Sequence, residues 1–171
     1  TNCSAPAEDA PCQPNSHYAV SKVAVASYLQ YMGKHRGFPC ANLRLYAVYG
    51  PYEDTSRLMP NLIRQALAGG LPPLVDARTS RDFIHIDDVV EAFVRTATSM
   101  QPGLYGEHFN IGTGIKTTID DLAEAARRVF GVTAEPRFGT MEGRAWDLAE
   151  WYADPRKAIA RLGWTPRVTL D

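Results

Sequence analysis

With 171 residues, the chain is long enough for one domain with a substantial core. Its 45% hydrophobic and 22% charged content is that of a soluble globular protein, and 45% spread over the whole length leaves no run able to span a bilayer. A net charge of −1 supplies no electrostatic footprint for nucleic acid or an anionic membrane surface.

The first 15 residues, TNCSAPAEDAPCQPN, are polar, and Pro6, Pro11 and Pro14 exclude regular structure there. They read like the middle of a loop, and the sequence stops as abruptly after WTPRVTLD, so a piece of a longer chain is expected. Asn15 or Ser16 can cap a helix from about His17 to Arg36 that Gly37 closes. Val20, Val23, Ala24, Ser27 and Leu29 form its candidate core stripe. Pro39 leads into ANLRLYAVYG, where Leu43, Leu45, Ala47 and Tyr49 alternate with more polar positions and predict one interior strand. Gly50-Pro51 stops that strand, and PYEDTSR follows as a charged loop.

A short helix is expected from about Met59 to Ala68, closed by Gly69-Gly70, with an extended piece after Pro72-Pro73. Asp82 to Ile86 reads as a strand, and Asp87 as the N-cap of a helix from Asp88 to about Ser99. His108 to Ile111 forms another strand before GTG, with Asn110 read as part of a turn. Thr117 or Thr118 caps an amphipathic helix reaching about Phe130, and ADPRKAIARLG gives a last short helix closed by Gly163. Strands alternate with helices throughout, which defines an α/β class with a parallel sheet.

The most informative chemistry is YAVSK. Tyr18 and Lys22 stand four residues apart, so on a helix they share one face. A free phenol is a poor base at neutral pH, with a pKa of about 10. A cation held beside a phenol favours the phenolate and turns it into a usable proton acceptor. Cys3, Cys12 and Cys40 make an odd set without metal-ligand spacing and read as reduced thiols of a cytoplasmic protein. His17, His35, His85 and His108 are not clustered either, so no metal is expected.

In chain order, several segments resemble the C-terminal half of the extended short-chain dehydrogenase/reductase family, and within it the nucleotide-sugar epimerases and dehydratases. EDAPCQPNSHYAVSK is similar to the family's Glu…Pro…Pro…Tyr-x-x-x-Lys segment, and LRLYAVYGP to its Arg-x-x-Asn-x-Tyr-Gly-Pro strand. SRDFIHIDDVVEA, FNIGTG, GRAWD and YADPRKAIARLGWTP resemble further family segments in the same order. The family's glycine-rich phosphate turn has no counterpart in this sequence.

The resemblance implies the C-terminal portion of a Rossmann-like doubly wound sheet plus a small mixed α/β substrate-binding region. Residues 1–50 would end the NAD(P)-binding domain, and 51–171 would be mainly substrate-binding, with 81–99 packing back on the sheet. It implies NAD or NADP as cofactor and a nucleotide sugar processed through a 4-keto intermediate. Tyr18 would be the base, and Lys22 would bind the nicotinamide ribose beside it. Arg81 and Arg144 would meet the substrate diphosphate or ribose, since a guanidinium fork suits phosphate oxygens. For Arg81 the alternative is a surface pair with Asp82, and for Arg144 a solvated loop charge. Tyr49 and Arg57 are further substrate-binding candidates, and Trp146 either lies over the base or packs on Trp151 or Tyr152. A homodimer through the 17–36 helix is expected. Ala47 stands where many members carry Asn, and a methyl group cannot donate that hydrogen bond. A 4-ketoreductase and a non-catalytic binding module are the alternatives.

Overall fold

The computed structural model describes residues 5–141 and 150–170. The elements in order are α1 (His17–Arg36), β1 (Ala41–Leu45), β2 (Ala47–Tyr49), α2 (Leu58–Leu67), β3 (Ser80–Arg81), β4 (Phe83–His85), α3 (Ile86–Thr98), a 3-10 turn (Pro102–Leu104), β5 (Glu107–Ile111), β6 (Thr117–Thr118), α4 (Ile119–Phe130) and α5 (Arg156–Leu162). The class is α/β with parallel pairing.

α1 starts where the Ser16 hydroxyl accepts a hydrogen bond from the Ala19 N–H, and it ends at Gly37 in the left-handed conformation. Its packed stripe keeps Val23 and Leu29 of the expected set and otherwise differs from it. Ala19, Val23, Ala26, Leu29 and Met32 are half-buried and Gly33 is fully buried, whereas Val20, Ala24 and Ser27 are exposed. The helix is apolar on more than one side, so periodicity alone could not select the inner face. Gly33 is essential to the packing, because a Cβ there would fall 2.0 Å from the Gly106 amide nitrogen. Helix backbone therefore rests directly on the turn that leads into β5.

The strand expected over 41–50 divides at Tyr46. β1 pairs in parallel with β5, from Ala41↔Glu107 to Leu45↔Ile111. β2 pairs in parallel with β4, from Ala47↔Phe83 to Tyr49↔His85. At the division the Tyr46 N–H donates to the Ile111 carbonyl at 3.1 Å and the Ala47 N–H to the Asp82 carbonyl at 2.9 Å. The stretch stays extended but changes partner, which ends one ladder and begins the next. β3 and β6 form a separate antiparallel pair, Ser80↔Thr118 and Arg81↔Thr117.

Two sequence expectations change at helix and strand ends. The cap of α3 is His85, whose Nδ1 accepts from the Asp87 N–H at 3.3 Å, while Asp87 and Asp88 lie in the first turn. Asn110 is not in a turn; it is a buried β5 residue whose amide donates to the Pro6 carbonyl at 2.8 Å. α4 begins as expected, with Thr118 and Asp121 forming a reciprocal capping box.

The main core gathers Ile84, Val89, Leu104, Phe109, Ile111, Leu162 and Trp164. Trp164 is fully buried and its indole N–H donates to the Asp88 carbonyl at 2.9 Å, satisfying its polar atom inside the core. A second cluster, Met59, Leu62, Phe83, Leu122 and Ala126, joins α2 and α4 to the β4 side.

Candidate active site

The candidate site lies at the carboxyl ends of the parallel strands, the side to which α1 brings Tyr18 and Lys22. Residues 6–8 cross the ends of β1 and β5: Arg44 Nη1 donates to the Glu8 carbonyl at 3.0 Å, and the Asn110 N–H donates to Glu8 Oε1 at 2.9 Å. Nine residues later that segment enters α1, whose opposite end lies on Gly106 at the amino end of β5. The helix thus runs antiparallel to β1 and β5, with Tyr18 on the carboxyl side. Open α/β sheets bind ligands on that side.

There the Lys22 ammonium lies 5.3 Å from the centroid of the Tyr18 ring. The two side chains share one face, within the range of a cation–π contact. Tyr18 is 72% exposed, and among the described residues neither the phenol oxygen nor the ammonium has a hydrogen-bond or ion-pair partner. Both are open to a ligand.

Two other phenols, Tyr46 between β1 and β2 and Tyr49 in β2, are unsuited to act as bases. Burial, and then the charge of Asp82, push Tyr46 up to about 12, and its ring packs 5.7 Å from that of Trp151. Burial likewise raises Tyr49, with the Asp88 carboxylate adding to it. The Tyr49 ring meets the His85 ring edge-on at 5.2 Å, and its hydroxyl donates to the Thr169 carbonyl at 3.4 Å.

Arg81 sits in β3, partly buried, and its Nη1 donates to the Ser80 carbonyl at 2.8 Å. Arg57 is the exposed residue before the first turn of α2, which follows the loop leaving β2. Arg144 and Trp146 lie outside the described residues.

Sequence reasoning missed the role of Asp82. It is not an exposed partner for Arg81 but a fully buried carboxylate. Its Oδ1 accepts from the Thr113 N–H at 2.8 Å and the Thr113 hydroxyl at 2.6 Å. Its Oδ2 accepts from the Gly114 N–H at 2.8 Å and the Ala153 N–H at 3.0 Å. The signal available was the alternation in SRD, which puts Ser80 and Asp82 on the face opposite Arg81. Among the described residues no cluster of histidine, cysteine and carboxylate groups could hold a metal ion.

Parallel pairing of β1 with β5 and of β2 with β4, with helices packed against them, gives an α/β arrangement of the Rossmann-like kind. The chain belongs to the NAD dependent epimerase/dehydratase family, whose model matches residues 3–112. It is 34% identical over 167 residues to the UDP-glucose 4-epimerase of Mycolicibacterium smegmatis, covering 95% of this chain and 52% of that protein. The crystal structure of UDP-glucuronic acid 4-epimerase from Bacillus cereus, in complex with UDP-glucuronic acid and NAD, superposes with a TM-score of 0.84 at 28% identity. That match covers 97% of this chain and 52% of the other. DesIV, the dTDP-glucose 4,6-dehydratase from Streptomyces venezuelae, superposes with a TM-score of 0.82 at 26% identity, over 96% of this chain and 50% of that one. The chain spans about half the length of these relatives.

Proposed function

We propose that the intact protein is an NAD(P)-dependent epimerase or dehydratase of nucleotide-activated sugars that works through a 4-keto intermediate. The observation that carries this reading is the exposed Tyr18–Lys22 pair, 5.3 Å apart on the carboxyl side of the sheet. Two donors open to solvent on one helix face suit the hydroxyls of a ribose, so the residues present fit NAD or NADP at this position. When bound, the nicotinamide supplies hydride acceptance and return at the sugar carbon.

Tyr18 takes the proton of the sugar hydroxyl and later returns it. Lys22 hydrogen-bonds the nicotinamide ribose and keeps positive charge beside the oxygen that must bear negative charge. Arg81 engages the substrate diphosphate through its guanidinium fork, with Arg57, Arg144 and Tyr49 as further substrate contacts. The Bacillus cereus relative, which holds UDP-glucuronic acid and NAD, supports this ligand class. Residues 1–50 then belong to the cofactor domain and 51–171 mainly to the substrate region, in a cytoplasmic enzyme. The exposed Val20, Val25, Tyr28 and Tyr31 of α1 support a homodimer through that helix.

The test is Tyr18→Phe in the intact enzyme with a UDP-hexose as substrate. Turnover falls at least about 100-fold, the usual weight of a positioned acid–base group, while NAD(P) binding by calorimetry stays within a few-fold. An unchanged kcat removes Tyr18 from the chemistry.

A further inference from the structure

We propose that Asp82 is a positioning residue for substrate binding: it locks the strand carrying Arg81 onto the parallel sheet, and so sets where the guanidinium meets the diphosphate. This rests on the reading above, in which Arg81 binds that diphosphate.

Asp82 stands at the junction of two ladders. The two residues before it pair antiparallel with β6, and the three after it pair in parallel with β2. Its carbonyl already belongs to the parallel side, accepting the Ala47 N–H at 2.9 Å. Its side chain reaches the other way. Both carboxylate oxygens are filled by donors from residues 113, 114 and 153, which lie outside β3 and β4. The turn at Gly112 comes so close that a Cβ there would lie 2.7 Å from Oδ2. Two residues earlier, the fully buried Ser80 hydroxyl accepts the Trp151 N–H at 3.0 Å. Ser80 and Asp82 therefore fasten one face of the strand at two points, and Arg81 projects from the opposite face between them.

A carboxylate is the group this junction needs. An asparagine offers one acceptor oxygen and turns an NH₂ toward N–H donors, so it releases at least one of the fastened segments. Two-point recognition of phosphate by a guanidinium depends on orientation, and a small tilt of β3 forfeits it. The Tyr18–Lys22 pair, carried by α1, is fastened separately and is left in place.

The experiment uses the intact enzyme with a UDP-hexose, comparing Asp82→Asn and the milder Thr113→Val with Arg81→Met and the corresponding double variants. KM for the UDP-hexose rises about tenfold or more in Asp82→Asn and several-fold in Thr113→Val. The kcat at saturation and the NAD(P) dissociation constant stay within about threefold. In the Arg81→Met background neither substitution raises KM further. An additive rise in that background, or an unchanged KM in the single variants, or kcat and cofactor affinity falling together with KM, overturns the proposal. Should Asp82→Asn fail to fold, the Thr113→Val cycle with Arg81→Met gives the same decision. An Arg81→Met enzyme with normal KM also overturns it, whereas a wild-type enzyme inert toward nucleotide sugars overturns the functional reading beneath it.

Discussion

Glu107 illustrates how far neighbours move one side chain. Burial pushes its carboxyl up, but hydrogen bonds and charge from Lys157 of α5 and Lys34 of α1 outweigh burial and hold it at about 2. Lys157 Nζ is 2.7 Å from Oε2, and Lys34 pairs with Oε1. The folded pKa lies below the ordinary carboxylate value, so the contribution to stability is complete above about pH 4.5 and is lost as pH falls toward 2. Glu107→Gln should flatten that acid limb in denaturant titrations run between pH 5 and pH 2.5, and should lower stability most at neutral pH. An acid limb of unchanged slope would mean that the two lysines do not hold the carboxylate. At this scale the sequence was uneven. Tyr18 and Lys22 are legible because helical spacing is local. Asp82 is not, because its donors lie 31 to 71 residues away and only the fold brings them in.

Helix ends were readable for the same local reason. Ser16, Gly37, Thr118 and Gly163 carry their capping chemistry in their own side chains or backbone freedom. The division of 41–50 into β1 and β2 was not, since a change of ladder partner is a property of the neighbours. His85 displaced Asp87 as the cap of α3 because the helix begins two residues earlier than expected, where the imidazole Nδ1 accepts the Asp87 N–H. The inner face of α1 was ambiguous because apolar residues occur around its circumference. That surplus has a use: Val25, Tyr28 and Tyr31 remain exposed in a helix whose packed stripe is already filled. If they meet a second copy, Tyr28→Glu should convert a dimer of the intact enzyme into monomers in analytical ultracentrifugation, with the circular dichroism spectrum preserved. A Tyr28→Glu protein still sedimenting as a dimer would exclude this face from the interface.

Taken whole, the α/β class followed from the alternation of strands and helices, and the family from motifs held in order. The tertiary arrangement was less legible. Among the described residues β1 hydrogen-bonds a strand on one edge only, the one facing β5. Its other edge borders a groove of about 660 Å³, lined by residues 39–43 and by Phe93, Thr96, Ala97 and Met100. Val90, Phe93 and Val94 of α3 are exposed nearby. The strand sequence is as apolar as an interior strand because of that edge, so alternation in ANLRLYAVYG reported burial potential rather than burial in this chain. Positions 41–44 of β1 are half-buried, and Leu45 is exposed.

The bare backbone contact between Gly33 and Gly106 makes α1 a lever. Fifteen residues separate that fulcrum from Tyr18, about 22 Å at the rise of an α-helix. Adding one methyl at Gly33 forces the pivot apart, and a tilt of about 5° would swing the phenol by about 2 Å. Displacements of about 1 Å can cost about 100-fold in rate. Gly33→Ala, assayed well below its melting temperature, should therefore lose kcat by about tenfold or more although the substitution lies far from any reacting atom. A thermal shift without loss of kcat would show that the arm bends before it transmits.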